Sequence, residues 1–256
     1  MNRAQREIIL PDEKARQELG KKSRRGFLIG GLAALGAISG YEWLQSTGQD
    51  NGVPWPERRV LEANGKLAHG YLSDHHLMPT YSLGDVTPLK SNGDIGLDQE
   101  LDPSKWGLAV TTNPGGPTLN LLLRDIQALP RVEMITKFCC IEGWSTISHW
   151  AGARFSDFTK KFYPPGRDLT QYVSMTTPDE EYYVGLDMKS ALHPQTLLAY
   201  EYGGKPLTPD HGAPLRLIIP VKYGVKSLKR IGAIEYTNAK PDDYWAEQGY
   251  DWFAGL

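Results

Sequence analysis

Two adjacent thiols, Cys139 and Cys140, are the only cysteines in the 256-residue chain. Neighbouring Cα atoms lie about 3.8 Å apart, closer than an unstrained disulfide allows, so no disulfide framework is available. Cys140 is followed by Ile141-Glu142-Gly143-Trp144-Ser145, and the stretch closes at Trp150-Ala151-Gly152. A soft thiolate suits a redox metal, and aromatic walls such as Trp144 and Trp150 keep such a site dry. Two other readings stay open at this point. The thiols could be buried and structural, or they could join His149 around zinc, although adjacent cysteines lack the two-residue spacing of common zinc motifs.

A second cluster lies downstream: His211-Gly212-Ala213-Pro214-Leu215-Arg216, an apolar run to Pro220, then Lys222-Tyr223-Gly224-Val225-Lys226-Ser227-Leu228-Lys229. An apolar strand with His and Arg at one end and a Gly-containing, lysine-rich turn at the other can bind an anion. Arg forks onto phosphate oxygens, while Lys and turn N–H groups complete a cradle. The competing reading is a solvated basic hairpin end.

Taken together, the two clusters resemble the sulfite-oxidase-fold molybdopterin enzymes, most closely the branch of periplasmic methionine-sulfoxide reductase catalytic subunits. The segments that carry the likeness are Cys-Ile-Glu-Gly-Trp-Ser and His-Gly-Ala-Pro-Leu-Arg through Lys-Tyr-Gly-Val-Lys-Ser-Leu-Lys, with His193 to Ala199 between them, and it covers residues 118 to 238 best. The resemblance implies molybdenum held by a molybdopterin and by Cys140. It places Thr177 on the pterin, His211 as a donor to the pterin phosphate, Arg216 as the phosphate clamp, and Ser227, Leu228 and Lys229 as the rest of the cradle. The family's upstream asparagine-containing loop falls near Met78 to Ser82, where Tyr81 matches. Sulfite oxidases follow their cysteine with a glycine-asparagine and arginine-bearing segment, whereas this chain has Ile-Glu-Gly-Trp, so sulfite specificity is not supported.

The activity implied is transfer of an oxygen atom to or from a small substrate, with the protein supplying placement and electrostatics. Trp144, His149, Arg154 and Tyr223 are candidates for the surroundings of the metal. Nothing in the chain offers haem or iron–sulfur ligation, so electrons would pass to a membrane b-type cytochrome or a soluble cytochrome. A different class of function, a cofactor-binding or assembly-associated protein without turnover, fits the same scaffold.

These residues need elements to hold them. Alternation from Val132 to Phe138 reads as a strand that delivers Cys140 at its end. Thr118 reads as the N-cap of a helix through Leu119, Leu122, Leu123 and Ile126, stopping at Pro130. A short helix is expected at 155–162, with strands at 171–175, 196–202, 215–220 and 230–236 and a turn at Gly203-Gly204. Too few long helices separate the strands for a doubly wound sheet, so the fold class is α+β with mixed or antiparallel sheets.

Ahead of this domain, Arg24-Arg25-Gly26-Phe27-Leu28 opens an uncharged stretch to Tyr41 that reads as a twin-arginine export signal, read by the twin-arginine translocase, or as a membrane anchor. Residues 1–44 are thus an address, 45–58 a linker rich in Ser, Thr, Gly and Pro, and 59–256 the oxidoreductase domain, on the periplasmic side of the inner membrane. Residues 1 to 26 hold eight Lys/Arg against four Asp/Glu, leaving 20 against 26 for the remainder. An acidic body argues against a nucleic-acid partner.

Overall fold

The computed structural model describes residues 12–50, 52–88, 90–97, 101–102, 105–113 and 115–256. The chain divides into two compact units, Met1–Asp50 with Pro54–Pro56, and Asn51–Val53 with Glu57–Leu256. The start of the expected address, residues 1–11, lies outside the described residues.

The first unit is the helix α1 (Asp12–Ser46). Within it, Gly20–Ser46 is long and apolar enough to cross a membrane by length and composition. Phe27, Leu32 and Leu35 are exposed along it. Hydroxyls close its last turn, Ser46 Oγ donating to Trp43 O at 2.7 Å and Thr47 Oγ1 to Leu44 O at 2.6 Å. Two short strands, β1 (Gln49–Asp50) and β2 (Val53–Pro54), follow. Helix α2 (Trp55–Tyr71) begins inside the stretch expected as linker. Pro56 stands in its first turn, where a missing N–H breaks no helical bond.

The second unit contains two sheets. One is antiparallel, in the order β10 (Lys205–Pro206), β9 (Leu197–Tyr202), β6 (Ser145–Arg154), β5 (Arg131–Cys139), with β11 (Arg216–Ile218) also on β9. The other runs β4 (Thr118–Leu121), β3 (Leu108–Thr111), β12 (Ala233–Thr237), β7 (Tyr172–Thr176), β8 (Tyr183–Asp187). It is mixed, because β12 and β3 are parallel and its other pairs antiparallel. This is the α+β arrangement expected. Val173 and Met175 on β7 and Ile234 and Tyr236 on β12 alternate into a core completed by Phe155 and Phe158 of α4 (Phe155–Phe162). A smaller cluster of Met134, Trp150, Leu197 and Ile218 backs the antiparallel sheet.

Three expectations need correction. Thr118 does not cap a helix: residues Thr118–Leu121 pair with β3 from Leu108↔Leu121 to Thr111↔Thr118, and only Leu123–Gln127 is helical (α3). The apolar spacing misled because Leu119 and Leu122 are exposed and only Ile126 is fully buried, so no single helical face points inward. The strand expected from Arg230 starts at Ala233, since Arg230 takes φ 50°, a left-handed conformation that a strand cannot contain. The strand expected over 215–220 is reduced to Arg216–Ile218, and the chain leaves it just before the basic turn.

Candidate active site

The β5–β6 hairpin sets the position of Cys140. Its ladder runs in unbroken register from Arg131↔Ala153 to Cys139↔Ser145, which leaves Cys140 to Trp144 as the turn. Cys140 N–H donates to Trp144 O at 2.9 Å and Gly143 N–H to Cys140 O at 3.1 Å. Gly143 sits at φ 88°, where a side chain would be strained. Cys140 is buried and Cys139, the last strand residue, is partly exposed. Successive residues of a strand face opposite sides, so the two thiols have different surroundings.

Cys140 opens on a cavity of about 150 Å³. Its opposite wall is the second sequence cluster, brought there by β11 and the turn after it. Leu217 N–H donates to Leu228 O at 2.8 Å and Ile231 N–H to Leu215 O at 2.9 Å, which zips the strand to the segment carrying Ser227 and Lys229. Gly212, at φ 91°, lets His211 and Lys229 meet: a Cβ there would lie 2.7 Å from Lys229 Cβ.

The polar groups of this wall are only partly satisfied within the protein. Arg216 is buried; its terminal nitrogens donate to His211 O at 2.9 Å and Ser227 O at 3.3 Å, and its guanidinium lies 4.8 Å from the Trp150 ring centre. Its Nε is buried without a hydrogen-bond partner, and so is Ser227 Oγ. Lys229 Nζ reaches only backbone oxygens, Gly93 O and Asp210 O, both at 2.8 Å. Burial pushes the Arg216 pKa down to about 9, and burial with the Arg216 charge pushes Lys229 down to about 8. Both still carry their proton at neutral pH. Desolvation, reinforced by Arg216 and Lys229, lowers the His211 pKa and keeps its imidazole neutral. Among the described residues neither cation forms a salt bridge with a carboxylate, although the charges of Asp210 and Asp94 act on Lys229, and with the orphaned donors beside them the two can cradle an anion.

The cavity therefore brings together Cys140, His211, Arg216, Ser227 and Lys229, with Trp144 and Trp150. Other expected residues are elsewhere. Thr177 donates to Asp179 Oδ1 at 2.5 Å and accepts from Tyr182 N–H at 3.1 Å, so its hydroxyl closes the β7–β8 turn. Leu228 is fully buried in the core and contributes its backbone. Tyr81 lies along β5, its N–H donating to Ile135 O at 3.0 Å, and does not line the cavity. Arg154 precedes α4, and Tyr223 bonds through its N–H to Ala254 O at 2.9 Å; neither lines the cavity. His149 faces Glu133 at 3.4 Å. It pairs with Ile135, four rungs from Cys139, or about 13 Å along the ladder, which removes the zinc reading. Among the described residues no group of three or more His, Cys, Asp and Glu side chains could hold a metal ion.

Part of the rim of the cavity comes from residues outside both sequence clusters. A loop carrying Lys90, Asn92 and Gly93 borders the cavity, and Asn92 Nδ2 lies 3.9 Å from Cys140 Sγ. The Asn92-Gly93 pair is a turn signal that could have drawn attention to this loop in place of Met78 to Ser82. Glu142 accepts from Trp144 Nε1 at 2.9 Å; that bond, one from Asn92 and the charge of Lys90 hold its carboxyl below the usual range. Trp245 and Tyr250, an edge-to-face pair with centroids 5.3 Å apart, come from the C-terminal segment and form a further wall with Tyr182.

Residues 95–245 match the family model described as the oxidoreductase molybdopterin binding domain. A protein of Azospira oryzae, provisionally named as the protein-methionine-sulfoxide reductase subunit YedZ1, is 38% identical over 91% of this chain and 88% of its own length. The protein-methionine-sulfoxide reductase catalytic subunit MsrP of Xanthomonas campestris is 36% identical over 75% of this chain, and that of Campylobacter jejuni 33% over 63%. The matches span 65% and 60% of those two MsrP chains. Among solved structures, the sulfane dehydrogenase SoxCD of Paracoccus pantotrophus aligns with a TM-score of 0.48 at 16% identity, over 56% of this chain and 40% of its own.

Proposed function

The chain belongs to the family of oxidoreductases with a molybdopterin-binding domain, and on that premise we propose that the cavity at Cys140 holds molybdenum on molybdopterin and reduces a sulfoxide to its thioether. The observation that carries the reading is one cavity with a buried thiol on one wall and, on the other, buried Arg216 Nε and Ser227 Oγ without partners. That donor set fits the group at both ends. The thiolate of Cys140 suits the metal, and Arg216, Ser227 and Lys229 suit the phosphate of the pterin.

When bound, the molybdenum centre supplies two-electron oxygen-atom chemistry. The chain's residues do the rest. Asn92 Nδ2 points a weak donor at Cys140 Sγ and so moderates the charge on that sulfur. Trp150 packs under the Arg216 guanidinium and keeps water from it. Neutral His211 offers the cradle an N–H without adding a third positive charge. At the mouth, Trp144, Trp245 and Tyr250 present ring edges and faces, which are good neighbours for a sulfur atom. Ionised Glu142 beside them repels an anion such as sulfite and leaves a neutral sulfoxide unaffected. Reduction takes up two electrons and two protons and releases the thioether and water.

In the same reading residues 1–44, with Arg24-Arg25, are a twin-arginine export address or inner-membrane anchor, and residues 59–256 are the catalytic domain in the periplasm. The relatives' names describe catalytic subunits of protein-methionine-sulfoxide reductases, which supports a methionine sulfoxide substrate and a separate partner subunit; a membrane b-type cytochrome or a soluble cytochrome would fill the role of electron donor. The test is molybdenum content and dye-linked turnover of the full chain made in a molybdopterin-competent host. Methionine sulfoxide should be reduced, and Cys140→Ala should abolish it. Loaded protein that oxidises sulfite and leaves sulfoxides untouched would overturn the assignment.

A further inference from the structure

Lys226 lies between Val225 and Ser227, both of which line the cavity, yet its own side chain points away from it. The side chain is 1% exposed, and its Nζ donates to Gly185 O at 2.9 Å and to the Asp243 carboxylate. Asp243, 3% exposed, does three things at once. It takes the lysine; Oδ2 accepts Gly185 N–H of β8 at 3.2 Å; and Oδ1 accepts Ala246 N–H at 3.1 Å, which starts the short helix α6 (Tyr244–Glu247). Helix α6 carries Trp245, and Tyr250 follows it, so these two of the wall's aromatic residues stand on the helix that Asp243 caps. Two more bonds reinforce the link: Tyr182 OH donates to Val225 O at 2.5 Å, and Tyr183 OH to Glu247 Oε2 at 2.5 Å.

A buried ion pair is a poor way to hold a fold. Each ion loses several kcal/mol of hydration, and well-packed neutral replacements are often as stable or more so. What this pair provides is geometry, since one carboxylate fixes the anion cradle, the β8 backbone and the aromatic wall relative to each other. We propose that Lys226 and Asp243 are positioning residues that lock the Trp245/Tyr250 wall to the Val225–Ser227 cradle, so that seating the cofactor's anionic end sets the mouth through which substrate enters. The proposal rests on the reading of the cradle given above.

The experiment uses the full chain, wild type and Lys226→Met/Asp243→Asn. The double change removes both charges together; the new amide can still cap α6 through its oxygen, while Gly185 N–H loses its acceptor and Gly185 O its lysine donor. Hydrogen exchange by mass spectrometry is compared between cofactor-loaded and cofactor-free protein. In wild type, loading should protect residues 223–229 and 243–250 together, whereas in the double variant only 223–229 should respond. With a sulfoxide substrate, the loaded double variant should show KM raised by about tenfold and kcat kept within about threefold. Protection of both segments in the double variant, no response of 243–250 in wild type, or an unchanged KM in loaded, folded double variant would overturn the proposal. The exchange pattern does not depend on which substrate is turned over, so failure of the sulfoxide assignment would be seen separately. Should the double variant not fold, Asp243→Glu, which keeps the charge but moves the carboxylate, carries the same comparison.

Discussion

Arg216 should make the protein less stable until something anionic sits beside it. Replacing it with Met tests this directly. Its guanidinium is buried, no carboxylate is paired with it among the described residues, and its pKa falls from 12.5 to about 9. At about 1.4 kcal/mol for each tenfold change, that depression costs the cofactor-free fold roughly 5 kcal/mol at neutral pH. Against this, Arg216→Met leaves His211 O and Ser227 O without the guanidinium donors. With water entering the adjoining cavity, those losses are about 1 kcal/mol each, and the lost contact with Trp150 is about another 1. The balance favours the variant by roughly 2 kcal/mol, or a Tm higher by about 4–8 °C for a domain of this size. In the loaded protein the sign reverses, because removing one partner of a buried charge pair costs about 2 kcal/mol or more, roughly 30-fold in cofactor affinity. Scanning calorimetry at pH 7 on both cofactor-free proteins, with pterin content measured after expression in a competent host, reads both halves. A cofactor-free variant melting several degrees below wild type, or one that keeps a full complement of cofactor, would refute the reasoning.

Three further outcomes are expected. Cys140→Ala should remove the thiolate-to-molybdenum absorption band while Cys139→Ala keeps it, and the reverse result would mean that the hairpin register is off by one. Lys229 has its pKa held at about 8. An anion binds its protonated form, so affinity for sulfate, whose charge is constant over the range, should be full at pH 6.5 and fall as pH rises through 8; titration calorimetry should show no such fall with Lys229→Met. The cofactor-free chain should move the opposite way, since between pH 8 and 10.5 the unfolded state binds more protons at Lys229 and stability rises with pH. Gly152→Ala should destabilise by about 3 kcal/mol or more by denaturant titration, because its Cβ would lie 2.1 Å from Leu198 O, where neither strand backbone can give way.

The parts of the molecule that could be read from the chain are those where one local pattern dictates both backbone and burial. The Val132 to Phe138 alternation became the strand that presents Cys140, and Phe155 to Phe162 became α4 because Phe155 and Phe158 share one buried face. The basic cluster was legible because His211, Arg216 and Lys229 are close in sequence and one strand with its turn joins them. Asn92, Trp245 and Tyr250 were not. Each reaches the cavity through a loop or short helix whose path is decided by distant partners, Lys229 on Gly93 O, and Lys226 and Gly185 on the Asp243 that caps α6. Thr177 and Tyr81 came from a resemblance and not from a local pattern, and the backbone directs the hydroxyl of one into a turn and aligns the other along β5.

The turn at the tip of the β5–β6 hairpin separates the anchoring of the thiol from the identity of its neighbours. Cys140 is held by its own N–H and C=O, bonded to Trp144 O and Gly143 N–H. Ile141 and Glu142 span the space between those bonds, and both line the cavity. The two backbone bonds close the loop without the Ile141 side chain, and the Glu142 carboxylate adds one bond from Trp144 Nε1. Saturation libraries at these two positions can therefore vary the size and charge of the cavity mouth with the backbone that holds the sulfur kept, which makes this dipeptide the natural place to alter substrate selectivity.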